Sequence, residues 1–445
     1  MPEQDNPVIV VGGGWAGLSC AVELSLVGHR VIVLESARQL GGRARRVAFE
    51  DIPVDNGQHL LIGAYRHTLS LLKRLNISLD EALLRERLNL HMRDCRGRHY
   101  ELSSMQLLAP LNLLFGLLTA RGFSLKEKWR AIQFGARLFT NAVIIEDDLP
   151  VADMLRHQKQ SPDLISALWE PICLASLNTP IEEASARIFI RVLHDTFCRS
   201  AKDADLIIPR VDLGTLLPDP AADFIEQHGG NVHLGQRVTE LMTEQRHVVG
   251  VKCGDTEYST SHVVLAIPPH ACIPLVKSHP ALHDIAYNLN AFSYNPIVTV
   301  YLKYPPGVRP DRPVQGMLNS TSQWAIDRHI TGQSGLIAVV ISGPGPHMQM
   351  ENNKLQTLIT RELGECFPHW PAPENVMVIR EKRATFSSRV NIDPLRPANK
   401  TALRGLWLCG DYTATGYPAT IESAVISGKL TANQIHQEQL NQHDN

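Results

Sequence analysis

Val8–Glu35 is the stretch that most restricts what this chain can become. Val8-Ile9-Val10-Val11 is a short apolar run, and Gly12-Gly13-Gly14-Trp15-Ala16-Gly17 is a glycine turn. Leu18, Ala21, Val22 and Leu24 then recur at helical spacing up to Gly28. A second apolar run, Val31-Ile32-Val33-Leu34, ends on Glu35. Strand, glycines, helix, strand and acid in this register predict one βαβ unit carrying the dinucleotide fingerprint. Gly12 permits the turn, and Gly14 admits a pyrophosphate close to the backbone. Gly17 lets the helix pack on the strand, so the amides of Trp15, Ala16 and Gly17 point at the phosphates. Glu35, followed by Ser36, stands where a carboxylate accepts hydrogen bonds from a ribose diol. Spacing alone leaves NAD and FAD both open.

Gly41-Gly42-Arg43 follows five residues after Glu35, with Arg45 and Arg46 close by. A second glycine turn with an arginine suits a long dinucleotide. The run from Gly12 through Glu35 to Arg43 resembles the N-terminal signature of flavin-containing amine oxidases and phytoene desaturases. That resemblance implies FAD.

With 445 residues there is room for two domains and a sizeable core. A net charge of −2 offers no electrostatic case for nucleic acid. The eight cysteines show no CxxC pair or zinc spacing, so reduced buried thiols and no metal site are expected. Met1–Pro7 is polar and Val8–Val11 is too short for a leader's apolar region, so no leader is expected. No stretch reaches the roughly 20 apolar residues of a membrane span. The nearest, Leu107–Phe123, is interrupted by Pro110, Asn112 and Arg121.

In chain order, Asp55-Asn56-Gly57-Gln58-His59 reads as a turn entering an apolar helix from Leu60 to Leu75. Gly57, Gln58 and His59 could line a flavin; equally, His59 could be a satisfied histidine at a helix start. From 78 to 204 helical patterns dominate. Leu107, Leu108, Leu111, Leu114, Phe115 and Leu118 form one apolar helix face, followed by Arg121, Lys126, Lys128, Arg130 and Arg137. A core helix followed by a solvated one fits this pattern, and so does a helix lying on a membrane. Leu174-Ala175-Ser176-Leu177-Asn178-Thr179-Pro180 is an apolar segment with a turn, and a capped helix runs on to about Phe197.

Residues 207–269 return to strand-and-glycine grammar. Strands are expected at Asn231–Leu234, Arg237–Leu241, Val248–Val251 and Val263–Ala266. Ile297–Leu302 and Leu336–Ser342 read as strands of a separate sheet. Gly405–Cys409 is a last strand, with Gly410 and Asp411 at its end, and Thr420 and Ile421 open the final helix. Asp411 can bind a ribityl hydroxyl, and the helix N-terminus can face the flavin pyrimidine. Under the flavoprotein resemblance, the Val238 backbone meets the adenine. The expected fold is therefore α/β. It combines a Rossmann-like FAD-binding domain of the amine oxidase and phytoene desaturase type (1–76, 205–270, 384–445) with an inserted mixed α+β substrate domain (77–204, 271–383).

Several stretches resemble the hydroxysqualene dehydroxylase family of bacterial hopanoid pathways. They are Gly12–Gly17, Leu40–Arg45, Asp55–His59, Leu174–Pro180, Pro209–Leu213 and Gly416–Glu422. The Trp15 form of the first and the Asn-Thr-Pro turn are the specific ones; Gly214 departs from the small hydroxyl residue expected there. The resemblance implies reduction of hydroxysqualene, a C30 allylic alcohol, to squalene. Reduced flavin N5 would deliver hydride to an allylic cation-like carbon. It also implies an unidentified electron donor, and a place in the bacterial cytoplasm on the inner face of the membrane, touched through Leu107–Arg137. An acid is then needed near the flavin, with His59 and Tyr417 as candidates. A carotenoid-type desaturase, an amine oxidase and a non-enzymatic flavoprotein are the alternatives.

Overall fold

The computed structural model describes residues 6–94, 97–105 and 107–443. Its centre is the apolar run that opens the chain. Strands β1 (Val8–Val11), β2 (Val31–Glu35), β3 (Asn231–Leu234), β4 (Val263–Leu265) and β5 (Leu406–Leu408) form one sheet in the order β3-β2-β1-β4-β5. Every pairing in it is parallel. β1, β4 and β5 are buried along their whole length, which is why they read as continuous apolar runs instead of alternating ones. Helix α1 (Trp15–Leu26) covers the sheet and packs on the final helix, Ile421–His443. A Cβ on Gly428 would lie 2.6 Å from the Ala16 carbonyl, so the crossing needs a glycine there. Ser19 also donates to the Val425 carbonyl, stitching the two ends of the chain together.

A second sheet has seven strands. Its order is Asn375–Phe386, Tyr294–Lys303, Leu336–Ser342, Trp324–Asp327, Val314–Leu318, Asn89–Asp94 and His99–Ser103. The last two come from far earlier in the chain and join through parallel pairing of Gly316–Leu318 with Met92–Asp94.

Three expectations need correction. Leu60–Leu75 is not one helix. Leu61–Ile62 pairs with Leu206–Ile207, and the helix is Arg66–Arg74. Its start is set by the Glu422 carboxylate, which accepts from the amides of His67 and Thr68. The strand expected at Arg237–Leu241 is Glu240–Glu244, because the amides of Gly235 and Gln236 are bonded to the end of β2. Cys366 is disulfide-bonded, whereas six other cysteines are free thiols; scattered spacing carries no pairing information.

The leucine run, for which two readings were open, falls in helices α2 (Leu111–Thr119) and α3 (Leu125–Phe139). The leucine face of α2 does not enter the core. Asn112, Gly116 and Leu117 face inward, while Leu111, Phe115 and Leu118 are exposed. A Cβ on Gly116 would lie 2.7 Å from the Ser103 carbonyl, so close packing against the sheet edge selects the small-residue face.

Candidate functional site

The site lies at the C-terminal ends of β1, β2, β4 and β5, where open parallel sheets bind ligands. Two glycine turns meet there backbone to backbone. The Gly41 amide donates to the Gly13 carbonyl at 2.8 Å, and a Cβ on Gly42 would lie 3.2 Å from the Gly14 Cα. The glycines of the first turn have different reasons to be there. A Cβ on Gly17 would sit 2.0 Å from the Gly12 carbonyl oxygen, and Gly12 itself has φ +111°. Gly14 is unlike both: its φ and ψ are −79° and 176°, and a Cβ there meets nothing nearer than 3.9 Å. The fold therefore leaves open space at Gly14, in front of an α1 N-terminus that has no side-chain cap and no acidic residue in its first turn. That is the geometry a pyrophosphate requires, and the residues fit a dinucleotide.

Glu35 is buried, and its carboxylate turns back on the chain. Gly13 donates to one oxygen at 2.7 Å; the amide of Ala37 at 2.7 Å and Ser36 Oγ at 3.2 Å donate to the other. About one of its four acceptor positions is left for a ribose. Ser36 thus serves Glu35 first. Val238 is partly buried just beyond Gly235 and Gln236, which are bonded to the end of β2. This places it on the Glu35 side of the site.

The opposite side joins the two ends of the chain. Arg43 Nη2 pairs with Asp411 Oδ2 at 2.8 Å across 368 positions, and Arg43 Nη1 donates to the Ala384 carbonyl at 2.8 Å. Gly410, with φ +159°, packs directly on the Tyr412 ring. Asp411 is therefore partnered by Arg43 and is not a lone carboxylate. A cavity of about 310 Å³ opens beside the pair, lined among others by Pro268, His270, Tyr294 and Arg383. None of these four was legible beforehand: Pro268 and His270 open one helix, Tyr294 and Arg383 lie on two paired strands, and no sequence motif links that helix to those strands.

The Asp55–His59 turn is tied into the same place. The Asn56 amide donates to the Arg45 carbonyl at 2.8 Å, and Asn56 Nδ2 donates to Glu381 Oε2 at 3.2 Å. Beneath it, Asp55 and Arg328 form an ion pair at 3.4 Å in which both side chains are 1% exposed. Arg328 also donates to Gln58 Oε1 at 2.5 Å, and Gln58 Nε2 donates to the His59 carbonyl at 3.3 Å. Gln58 thus has both ends of its amide engaged by protein and holds the turn's shape. Gly57 has φ +125°, and its open side faces Thr299 Oγ1, a buried hydroxyl without a hydrogen-bond partner.

His59 Nδ1–H donates to the Gly57 carbonyl at 2.7 Å, leaving Nε2 as the free ring nitrogen. Burial lowers its pKa, against the opposing charge of Asp55. Tyr417 points elsewhere. Its hydroxyl donates to Asp195 Oδ2 at 2.5 Å, and the Arg191 guanidinium lies 4.3 Å from its ring centroid. Burial, then Asp195, raises the phenol's pKa. Its proton is already committed, which makes it the poorer acid of the two candidates. Thr420 Oγ1 accepts from the Ser423 amide at 3.1 Å and so caps the final helix, whose first residue is Ile421.

Residues 15–436 match the family model described as flavin containing amine oxidoreductase. The chain belongs to this family. As a flavin containing amine oxidoreductase it is an FAD-dependent oxidoreductase. Among its relatives is a hydroxysqualene dehydroxylase of Sinorhizobium fredii, 24% identical over 96% of this chain and 97% of that one. Another is a zeta-carotene desaturase of Zea mays, 24% identical over 96% of this chain and 83% of that one. A solved oxidoreductase of Methanosarcina mazei superposes with a TM-score of 0.76 at 16% identity, covering 96% of this chain and 100% of that one; it shares the fold.

Proposed function

We propose that this member of the family reductively removes the allylic hydroxyl of hydroxysqualene to give squalene. What carries the reading is that the likeness to a hydroxysqualene dehydroxylase runs nearly end to end. It takes in the excursions that frame the substrate side as well as the cofactor motifs. FAD, when bound and reduced, would supply hydride to the allylic carbon as the C–O bond breaks. The chain's residues have three other tasks. Water has to be kept from a cation-like carbon. The Arg328–Gln58 contact holds the Gly57–His59 turn in place. One proton must reach the departing oxygen so that it leaves as water, and His59 Nε2 is our assignment for its source.

That assignment has a pH signature. The folded pKa of His59 lies below its ordinary value of 6.5, so the ring is largely neutral at pH 7. Only the protonated ring can donate, so turnover should fall as pH rises through a value below 6.5. His59→Ala should lower turnover by about 10²- to 10⁴-fold and flatten the profile. Full turnover in that variant would remove His59 from the mechanism.

The likeness to a carotenoid desaturase keeps a second reading, dehydrogenation of a polyene by the same fold in the oxidative direction. Direction of electron flow separates the two. The flavin is reduced anaerobically and the protein mixed with hydroxysqualene in detergent. Return of the oxidised flavin band, with squalene formed in step, supports the dehydroxylase. Flavin that stays reduced overturns it, and oxidised enzyme with phytoene becomes the next assay. The electron donor is a separate partner, to be found by which reductant sustains turnover.

A further inference from the structure

The α2–α3 pair turns its apolar side chains outward. Sixteen large apolar side chains are exposed among the described residues, and ten of them fall between Met105 and Ile144. Leu108 and Leu125 are each 84% exposed and Trp129 is 60% exposed, while Asn112 on the same two-helix unit is buried. A soluble monomer rarely carries so concentrated a patch without an occupant. The helices are well formed in spite of it. α3 begins with a capping box between Ser124 and Glu127, and α2 packs on both α3 and the edge strand His99–Ser103.

Charge identifies the occupant. Between Met105 and Ile144 the chain has Arg121, Lys126, Lys128, Arg130 and Arg137 against the single acid Glu127, in a protein whose net charge is −2. Glu127 is spent on the capping box and on Ser161 Oγ. Exposed leucines, one exposed tryptophan and flanking cations together match the boundary between acyl chains and anionic headgroups. Among the described residues no helix is long and apolar enough to cross a bilayer, so the contact is one-sided.

We propose that α2 and α3, with the segment leading into them, dock this protein on an anionic phospholipid bilayer. Leu108, Leu111, Phe115, Leu118, Leu125 and Trp129 would enter the lipid. The inference stands on the surface alone and does not depend on which isoprenoid is turned over.

The test uses FAD-loaded protein, without substrate, floated with phosphatidylethanolamine–phosphatidylglycerol vesicles and with pure phosphatidylcholine vesicles. Binding should favour the anionic vesicles and weaken with salt. The Leu108→Ser/Leu111→Ser/Phe115→Ser/Leu118→Ser variant should lose at least roughly 100-fold in partitioning. Lys126→Gln/Lys128→Gln/Arg130→Gln should lose a similar factor, at about fivefold per cation, on anionic vesicles only. Lipids brominated on the acyl chain should quench wild-type emission and leave Trp129→Phe unaffected. Unchanged flavin content certifies that the variants fold. Vesicle binding equal to wild type in both variants overturns the proposal. So does a concentration-dependent dimer that the apolar variant abolishes in the absence of any lipid binding, which would make the occupant a second copy of the chain.

Discussion

Gly14→Val should fold and fail to hold FAD. The backbone at Gly14 is extended, at φ −79° and ψ 176°, a conformation any residue adopts. A Cβ there meets only the Gly42 Cα, at 3.9 Å. The apoprotein should therefore keep its stability, or gain about 0.5 kcal/mol from the less flexible unfolded chain. The valine would occupy the space facing the uncapped amides of α1, where the pyrophosphate needs to approach the backbone. Affinity for FAD should fall at least 100-fold, on the order of 3 kcal/mol. Gly17→Ala is the contrasting case. Its Cβ would sit 2.0 Å from the Gly12 carbonyl oxygen, so the first crossover itself cannot form. Urea unfolding of apoprotein and fluorescence titration with FAD separate the two. A Gly14→Val protein that still titrates like wild type would place the pyrophosphate elsewhere.

Asn178→Ala should cost the fold about 3–5 kcal/mol, read as the shift in the urea midpoint. Asn178 is buried at φ +49°, at the end of the helix Glu170–Leu177. Its Nδ2 donates to the Pro296 carbonyl at 3.2 Å and to Thr385 Oγ1 at 2.9 Å, and its Oδ1 accepts from the Gly343 amide at 2.6 Å. Its own carbonyl accepts from Asn295 Nδ2 at 2.7 Å. One carboxamide thus ties the inserted segment 77–204 to the strands Tyr294–Lys303 and Asn375–Phe386 and to the turn after Leu336–Ser342. Alanine leaves three partners buried and unsatisfied, and adds the strain of a left-handed residue that favours glycine or asparagine. Asn178→Asp should be no better, because a buried carboxylate oxygen would replace the amide that faces the Pro296 carbonyl. Normal stability with lost turnover would move Asn178 from architecture to chemistry.

The Asn-Thr-Pro turn was among the stretches that marked a resemblance most specifically, yet its asparagine serves packing. A motif records what a family keeps without saying why, and the reason appears once partners are known. Gln58 makes the same point. As an amide beside a glycine it reads as a cofactor ligand, and in the fold both its ends are held by Arg328 and His59. Leu107–Leu118 shows the converse. Helical period was legible there, but the direction of the leucine face was not. A period gives the angle between side chains and leaves the helix free to rotate about its axis. The rotation was settled by Gly116 against Ser103, a contact made with a separate strand.

Local order was thus written in the residues themselves. A four-residue apolar run, a glycine spacing and a helical period each act over fewer than about a dozen positions, and from them came the strands of the parallel sheet and the first glycine turn. Arg43 on Asp411, Asp55 on Arg328 and Asn178 on Thr385 lie outside that reach. Their partners are more than 200 positions apart in the chain, and a single charge or amide in a sequence carries no address. Each had to wait for the sheets to bring its partner within hydrogen-bond distance and for burial to make leaving either group unpaired costly.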